Sequence, residues 1–213
     1  MYKLNLPIMK TIISFCLLLL SFGCKAQNTL IPIYENDDLF RYPNAYYYDS
    51  ESEFDKFVGT WKWEEGLSSI TITIQKKTHV FIPERGSFVD LLVGEYSFVD
   101  ATGAVIINTL PQLGNTTIAP YNRNIWGHDI FRARPGNPLT PNNASTTIEY
   151  HRIQLNFQDP DRTYQMSVIK MRYIDTPIPK IEVSIGGRGM QILEDGQNPE
   201  IRIPDGFFTL VKQ

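Results

Sequence analysis

The chain of 213 residues is 42% hydrophobic and 12% aromatic, with 20 basic against 23 acidic side chains and a formal net charge of −3. A chain this rich in Phe, Tyr and Trp can bury a core, which excludes disorder, and its slight acidity excludes a basic nucleic-acid binder. Two cysteines are too few for a disulfide scaffold or a Cys-rich zinc site. The length suits one medium domain with an appendage.

Residues 1–23 contain no acidic side chain and place Lys3 and Lys10 ahead of an apolar run over residues 11–22. That run is shorter than the roughly 20 residues a membrane-spanning helix needs. A positive start, a short apolar stretch and then small residues describe a secretory signal. Met9 is a second expected start, because residues 1–8 add nothing to that signal.

The signal closes in Leu20-Ser21-Phe22-Gly23-Cys24. This resembles a bacterial lipobox, where a small residue precedes a cysteine that is acylated and becomes the mature N-terminus. Ser21 and Phe22 depart from the usual occupants. The resemblance implies lipid attachment at Cys24, with each buried CH₂ contributing about 0.8 kcal/mol to anchoring. Lys25 after the cysteine implies outer-membrane sorting with a periplasm-facing position. The other reading is a plain secretory signal cleaved near Ala26, with Cys24 discarded.

Residues 24–53 read as a tether, yet Ile31, Ile33, Leu39, Phe40 and the run Tyr46-Tyr47-Tyr48 are too apolar for plain spacer. Its later half is expected to lie along the domain surface. A competing reading makes the tyrosines a platform for sugar rings. Asp37-Asp38 suits either a solvated loop or a calcium contact.

From residue 54 to residue 213 the dominant period is two. Ile70, Ile72 and Ile74 alternate with Thr71, Thr73 and Gln75, and Ile181, Val183 and Ile185 with Glu182 and Ser184. Phase slips at His151-Arg152 and Val168-Ile169 predict β-bulges. Turn residues at 100–103, 159–161 and 186–189 predict hairpins. Two longer loops, residues 111–124 and 134–143, are expected to cap one end. About eight to ten strands without helical patterns make the domain all-β, an antiparallel barrel or sandwich.

The domain opens on Phe57-Val58-Gly59-Thr60-Trp61-Lys62-Trp63. This resembles the Gly-x-Trp opening of lipocalins and intracellular fatty-acid-binding proteins, so Gly59 and Trp61 are the structural signature. In those barrels the Trp plugs the closed end of the first strand. Fatty-acid-binding proteins insert two helices after that strand, whereas here Gly66 leads almost directly into Ile70. Lipocalins place an Arg over the Trp from a late strand, and Arg202 and Lys212 are the candidates. The whole chain, from Cys24-Lys25-Ala26-Gln27 to the closing Phe207-Phe208-Thr209-Leu210, resembles uncharacterised lipocalin-like lipoproteins of Bacteroidota. That resemblance implies a location and a lipocalin-like β-barrel, and no activity.

Chemical motifs are sparse. His79, His128 and His151 lack the spacing of zinc ligands, and neither a Gly-x-Ser-x-Gly elbow nor a His-Glu-x-x-His pair occurs. No metal, cofactor or catalysis is expected. The candidate ligand-binding residues are Trp126, His128, Arg132 and Arg134, with Arg123 nearby, because an inward Arg clamps a ligand carboxylate bidentately. The alternative puts Arg132 and Arg134 on the solvent face of an edge strand. The expectation is a lipid-anchored outer-membrane protein whose barrel holds a small apolar or amphipathic ligand. The competing expectation is a side-chain-filled barrel whose loops or tyrosines contact envelope protein or glycan. An interior cavity separates the two.

Overall fold

Ile70, Ile72 and Ile74 are fully buried on a 15-residue strand whose intervening threonines stay partly exposed, and this two-residue alternation recurs through the chain. The computed structural model describes residues 10, 29–33, 41–133, 150–165, 167–187, 194–198 and 200–213. Its strands are β1 (Leu30–Pro32), β2 (Tyr46–Tyr48), β3 (Gly59–Glu65), β4 (Ser68–Ile82), β5 (Ser87–Val99), β6 (Val105–Asn108), β7 (Ile125–Ala133), β8 (Tyr150–Phe157), β9 (Ser167–Ile174), β10 (Lys180–Gly187) and β11 (Gly206–Lys212). Short 3-10 turns lie between them at Glu53–Phe57, Leu110–Gly114 and Pro120–Asn122.

Eight of these strands, β3, β4, β5 and β7 to β11, close into an antiparallel meander barrel. β11 returns to β3 with Val211 opposite Lys62 and Lys212 opposite Trp61, and β5 meets β7 across Leu92 to Gly94. The fold is therefore all-β and lipocalin-like. Closure leaves few unpaired edges, the usual liability of a sheet.

β5 is the strand on which the rest is organised. One edge pairs along most of its length with β4. The other takes three partners in turn: parallel β2 at Phe88 and Val89, β7 in the middle, and β6 at Ser97 to Val99. Residues 89–96 are all buried, as a near-continuous apolar run requires when both faces are covered. Ile33, Ala45 and Tyr47 from the N-terminal segment join the same core cluster. The later half of that segment thus lies on the barrel. Tyr47 is fully buried, and Tyr46 donates its hydroxyl to Asp90 at 2.5 Å. A flat platform of three tyrosines is not what this segment presents.

Asp49 fastens the segment further. Its carboxylate accepts the backbone N–H of Glu53 and Phe54 at 2.9 and 3.0 Å, capping the 3-10 turn, and the ammonium of Lys76 at 2.9 Å. Burial alone would lower the Lys76 pKa, but its bonds to Asp49 and Asp55 outweigh that and hold it above the ordinary lysine value.

The closed end sits under that turn. The Trp61 indole N–H donates to the Phe57 carbonyl at 2.8 Å, and Tyr173 meets both rings edge-on at 6.2 and 6.4 Å. Lys212, opposite Trp61 on the last strand, lies with its Nζ 5.3 Å from the indole centroid, a cation–π distance. A Cβ at Gly59 would stand 3.0 Å from Lys212 Cε, and its φ of +131° suits only glycine. Of the two late-strand candidates for this position, Lys212 therefore takes it; Arg202 lies elsewhere.

Among the described residues, inward-phase positions on six of the strands are closed to water, while Trp63 and Tyr173 in the same phase are partly exposed. Trp61, Ile72, Tyr96, Ile153, Ile169 and Leu210 are each 0% exposed. A ligand chamber leaves its walls open to a water-sized sphere, so at these levels the barrel is filled by its own side chains.

Several local expectations are corrected. β8 pairs without interruption from Arg152 through His151 to Tyr150, so the phase change seen at Tyr150 is not a bulge; Ile148, which shared that phase, lies outside the described residues. β9 begins at Ser167 and is regular, so the apparent slip at Val168-Ile169 is the start of a strand. Gly186 and Gly187 end β10, and among the described residues the next strand, β11, begins only at Gly206, so a long connection replaces the expected tight hairpin. Of the two loops expected to cap one end, 111–124 leads into β7; residues 134–143 lie outside the described residues.

Candidate functional site

Register shifts interrupt β4 between Lys77 and Val80 and the β5–β6 pairing between Phe98 and Val99, and a further bulge lies on β7. Trp126 faces Asn156 and Asp129 faces Gln154, so Gly127 and His128 together oppose Leu155. A side chain at Gly127 would place its Cβ 3.1 Å from the Leu155 Cα. Glycine is what lets the two backbones approach so closely, and the extra residue re-aims the side chains around it.

Below this bulge β7 parts from β5, whose edge is taken over by β2. A cleft of about 290 Å³ lies there, lined by Ile82, Arg85, Trp126, Gly127, His128, Asp129, Gln154, Leu155 and Asn156. Trp126 packs partly against the core, and its carbonyl accepts from the Asn156 amide at 3.3 Å, which fixes that side chain. His128 Nδ1 stands 3.2 Å from Asp129 Oδ1, an ion pair when the ring is protonated. Residues bearing an indole, two amides, a carboxylate, an imidazole and a guanidinium thus border one concavity. That set offers an apolar surface with donors and acceptors around it.

Two expected site residues, Trp126 and His128, meet in this cleft. Arg132 lies farther along β7, opposite His151, and Cys24 and Arg134 lie outside the described residues. Arg123 has a structural role instead. It donates to the carbonyls of Gln112 and Asn115 and stands 3.5 Å from the buried Glu95, holding the 3-10 loop against β5. Gln154, Asn156 and Arg85 escape sequence reasoning. They reach the cleft through strand register and the β4–β5 turn, which leave no motif. Among the described residues no group of three His, Cys, Asp or Glu is placed to hold a metal.

The barrel mouth, opposite the Trp61 end, is built differently. Asp159, its side chain fully buried, accepts from the backbone N–H of Asp161 and Arg202 at 3.1 Å each and from the Arg202 guanidinium at 2.5–3.1 Å. Burial pushes its pKa up, but the hydrogen bonds from Arg202 and from the two backbone N–H groups together hold it below the usual carboxylate value. Gln165 donates to the Asn198 carbonyl at 2.5 Å and Arg162 to that of Glu200. These bonds tie the 158–165 and 198–203 loops to one another.

No curated protein and no solved structure matches this chain. Over residues 9–213 the chain matches a family of unknown function (DUF6705), and it belongs to that family.

Proposed function

We propose that the protein is a lipid-anchored envelope protein whose filled barrel is a scaffold for recognising glycan in the seam cleft beside Trp126. The single observation that carries this reading is the composition of that cleft: an indole flanked by Gln154, Asn156, Asp129, His128 and Arg85. A sugar ring has an apolar face for an aromatic and a rim of hydroxyls for amides and charges. The packed interior favours this over a small apolar ligand carried inside the barrel, since inward-phase side chains occupy that space.

Anchoring rests on the sequence of residues 9–24, with Cys24 as the attachment point, and the family match opens at Met9. Outer-membrane residence facing the periplasm follows from Lys25 in the same reading. The partners are then the membrane, through lipid, and an envelope glycan. Cys24→Ser is expected to release the protein from membranes; continued attachment would sink the anchor.

Isothermal titration with neutral hexose and N-acetylglucosamine oligosaccharides tests the cleft. Trp126→Ala is expected to weaken the best binder roughly tenfold, equivalent to ~1.4 kcal/mol, with melting temperature little changed because Trp126 is only partly buried. Flat titrations across the panel would remove the glycan reading.

A further inference from the structure

A second concavity, also about 290 Å³, lies at the barrel mouth and is lined by Gln165, Ser167, Glu200, Ile201, Ile203, Pro204 and Asp205. It is separate from the seam cleft, with which it shares no lining residue. We propose that this mouth cleft binds a small amphipathic amine, its ammonium donating to the Ser167 hydroxyl and balanced by the Glu200 and Asp205 carboxylates, and its apolar body along Ile201, Ile203 and Pro204.

Ser167 carries the argument. It opens β9 in the inward phase that continues through Ile169 and Met171, opposite Phe157 of β8 and Gly187 of β10. It is 3% exposed, and its hydroxyl has no hydrogen-bond partner among the described residues. Neighbouring inward positions Phe157, Ile169 and Met171 are apolar, and a hydroxyl buried without a partner is destabilising there. A polar group kept at such a cost on a cleft wall is explained by a partner that arrives from outside.

The rim supplies the charge. Glu200 and Asp205 are exposed and neither carboxylate pairs with a cation among the described residues. Arg202, the nearest cation in sequence, is bound to Asp159 and Asp161 at 2.5 and 2.6 Å. Ile203 is 1% exposed, so the apolar wall continues into the core. The cleft is also built in advance. The Asp159–Arg202 clamp and the Gln165–Asn198 bond hold its two loops together, which lowers the ordering cost of binding.

Chemical-shift mapping on the purified full chain, with n-hexylamine, n-hexanol and hexanoate as probes, tests this. Hexylammonium is expected to shift the amides of Ser167, Ile201 and Ile203 in a saturable manner, hexanol to bind several-fold more weakly, and hexanoate not at all. Ser167→Ala is expected to weaken hexylammonium about five- to tenfold, the range of one hydrogen bond. The pair Glu200→Gln and Asp205→Asn is expected to erase the preference for the amine over the alcohol. Equal affinity for all three probes, or no saturable shift, overturns the proposal. Shifts confined to Trp126 and His128 overturn it too, while leaving the seam cleft intact.

Discussion

Each end of the barrel carries a fully buried carboxylate held by a cation and two backbone N–H groups, Asp49 with Lys76 and Asp159 with Arg202, and the two differ in the ring plug that the closed end adds. At the closed end, Trp61, Phe57 and Tyr173 plug the opening with rings, and a single cation rests on the indole. At the mouth, a fully buried carboxylate is held by a guanidinium and two backbone N–H groups. Ring packing is tolerant of direction and insensitive to pH. A buried charge demands every one of its partners and fails when one is removed. The ring plug is therefore what sets the closed end apart, and the comparison can be attacked from both sides.

The largest effect is expected from Trp61→Ala, which removes a fully buried ring from the closed end. A loss of about 3–5 kcal/mol in denaturant unfolding is expected, by transfer and cavity effects together. If the loss is under about 1 kcal/mol, less than even a mild core truncation costs, the plug is not what stabilises that end.

Next comes Arg202→Met, expected to cost about 2–3 kcal/mol because Asp159 stays buried with only its backbone donors. The same pair sets an acid limit. Asp159 has its folded pKa held below its ordinary value of 3.8. Its contribution is therefore complete above that value and is lost as pH falls through the lower folded pKa. Asp159→Asn should flatten unfolding free energy against pH in that acid window while leaving the slope near neutrality unchanged; an unaltered acid limb would show that other carboxylates set it.

The smallest effects concern how the closed end is finished. Gly59→Ala is expected to cost about 1–2 kcal/mol, from a φ of +131° and from contact with the Lys212 stem. Lys212→Met should cost less, about 0.5–1 kcal/mol, by losing the cation over the indole. A double-mutant cycle sharpens the comparison. If the glycine is there partly to admit the lysine, the two losses should be less than additive; strict additivity would leave backbone conformation as its whole reason.

Much of the fold was legible because a two-residue period is a geometric signature. Ile70, Ile72, Ile74 and Ile181, Val183, Ile185 sit where alternation puts them, and Gly59-x-Trp61 marked the closed end. What failed was anything dependent on a partner strand. The bulge at Gly127-His128 exists because β7 must reconcile its register with Leu155, and no local phase change in the sequence announces it. The seam cleft was half visible for the same reason. Trp126 and His128 stand out by residue type, whereas Gln154 and Asn156 are ordinary strand residues until pairing sets them beside Trp126. Asp159 read as turn chemistry, and it does turn the chain, but its clamp to Arg202 joins residues 43 apart.

Barrel closure also has a consequence in time. The pairing that shuts the cylinder sets Trp61 against Lys212, roughly 150 residues along the chain. Neighbouring strands can zip as each is made, but the indole cannot receive its cation until the last strand arrives. Topologies closed by such distant contacts are slow to fold. A polypeptide of this kind stays open and threadable until its far end is free.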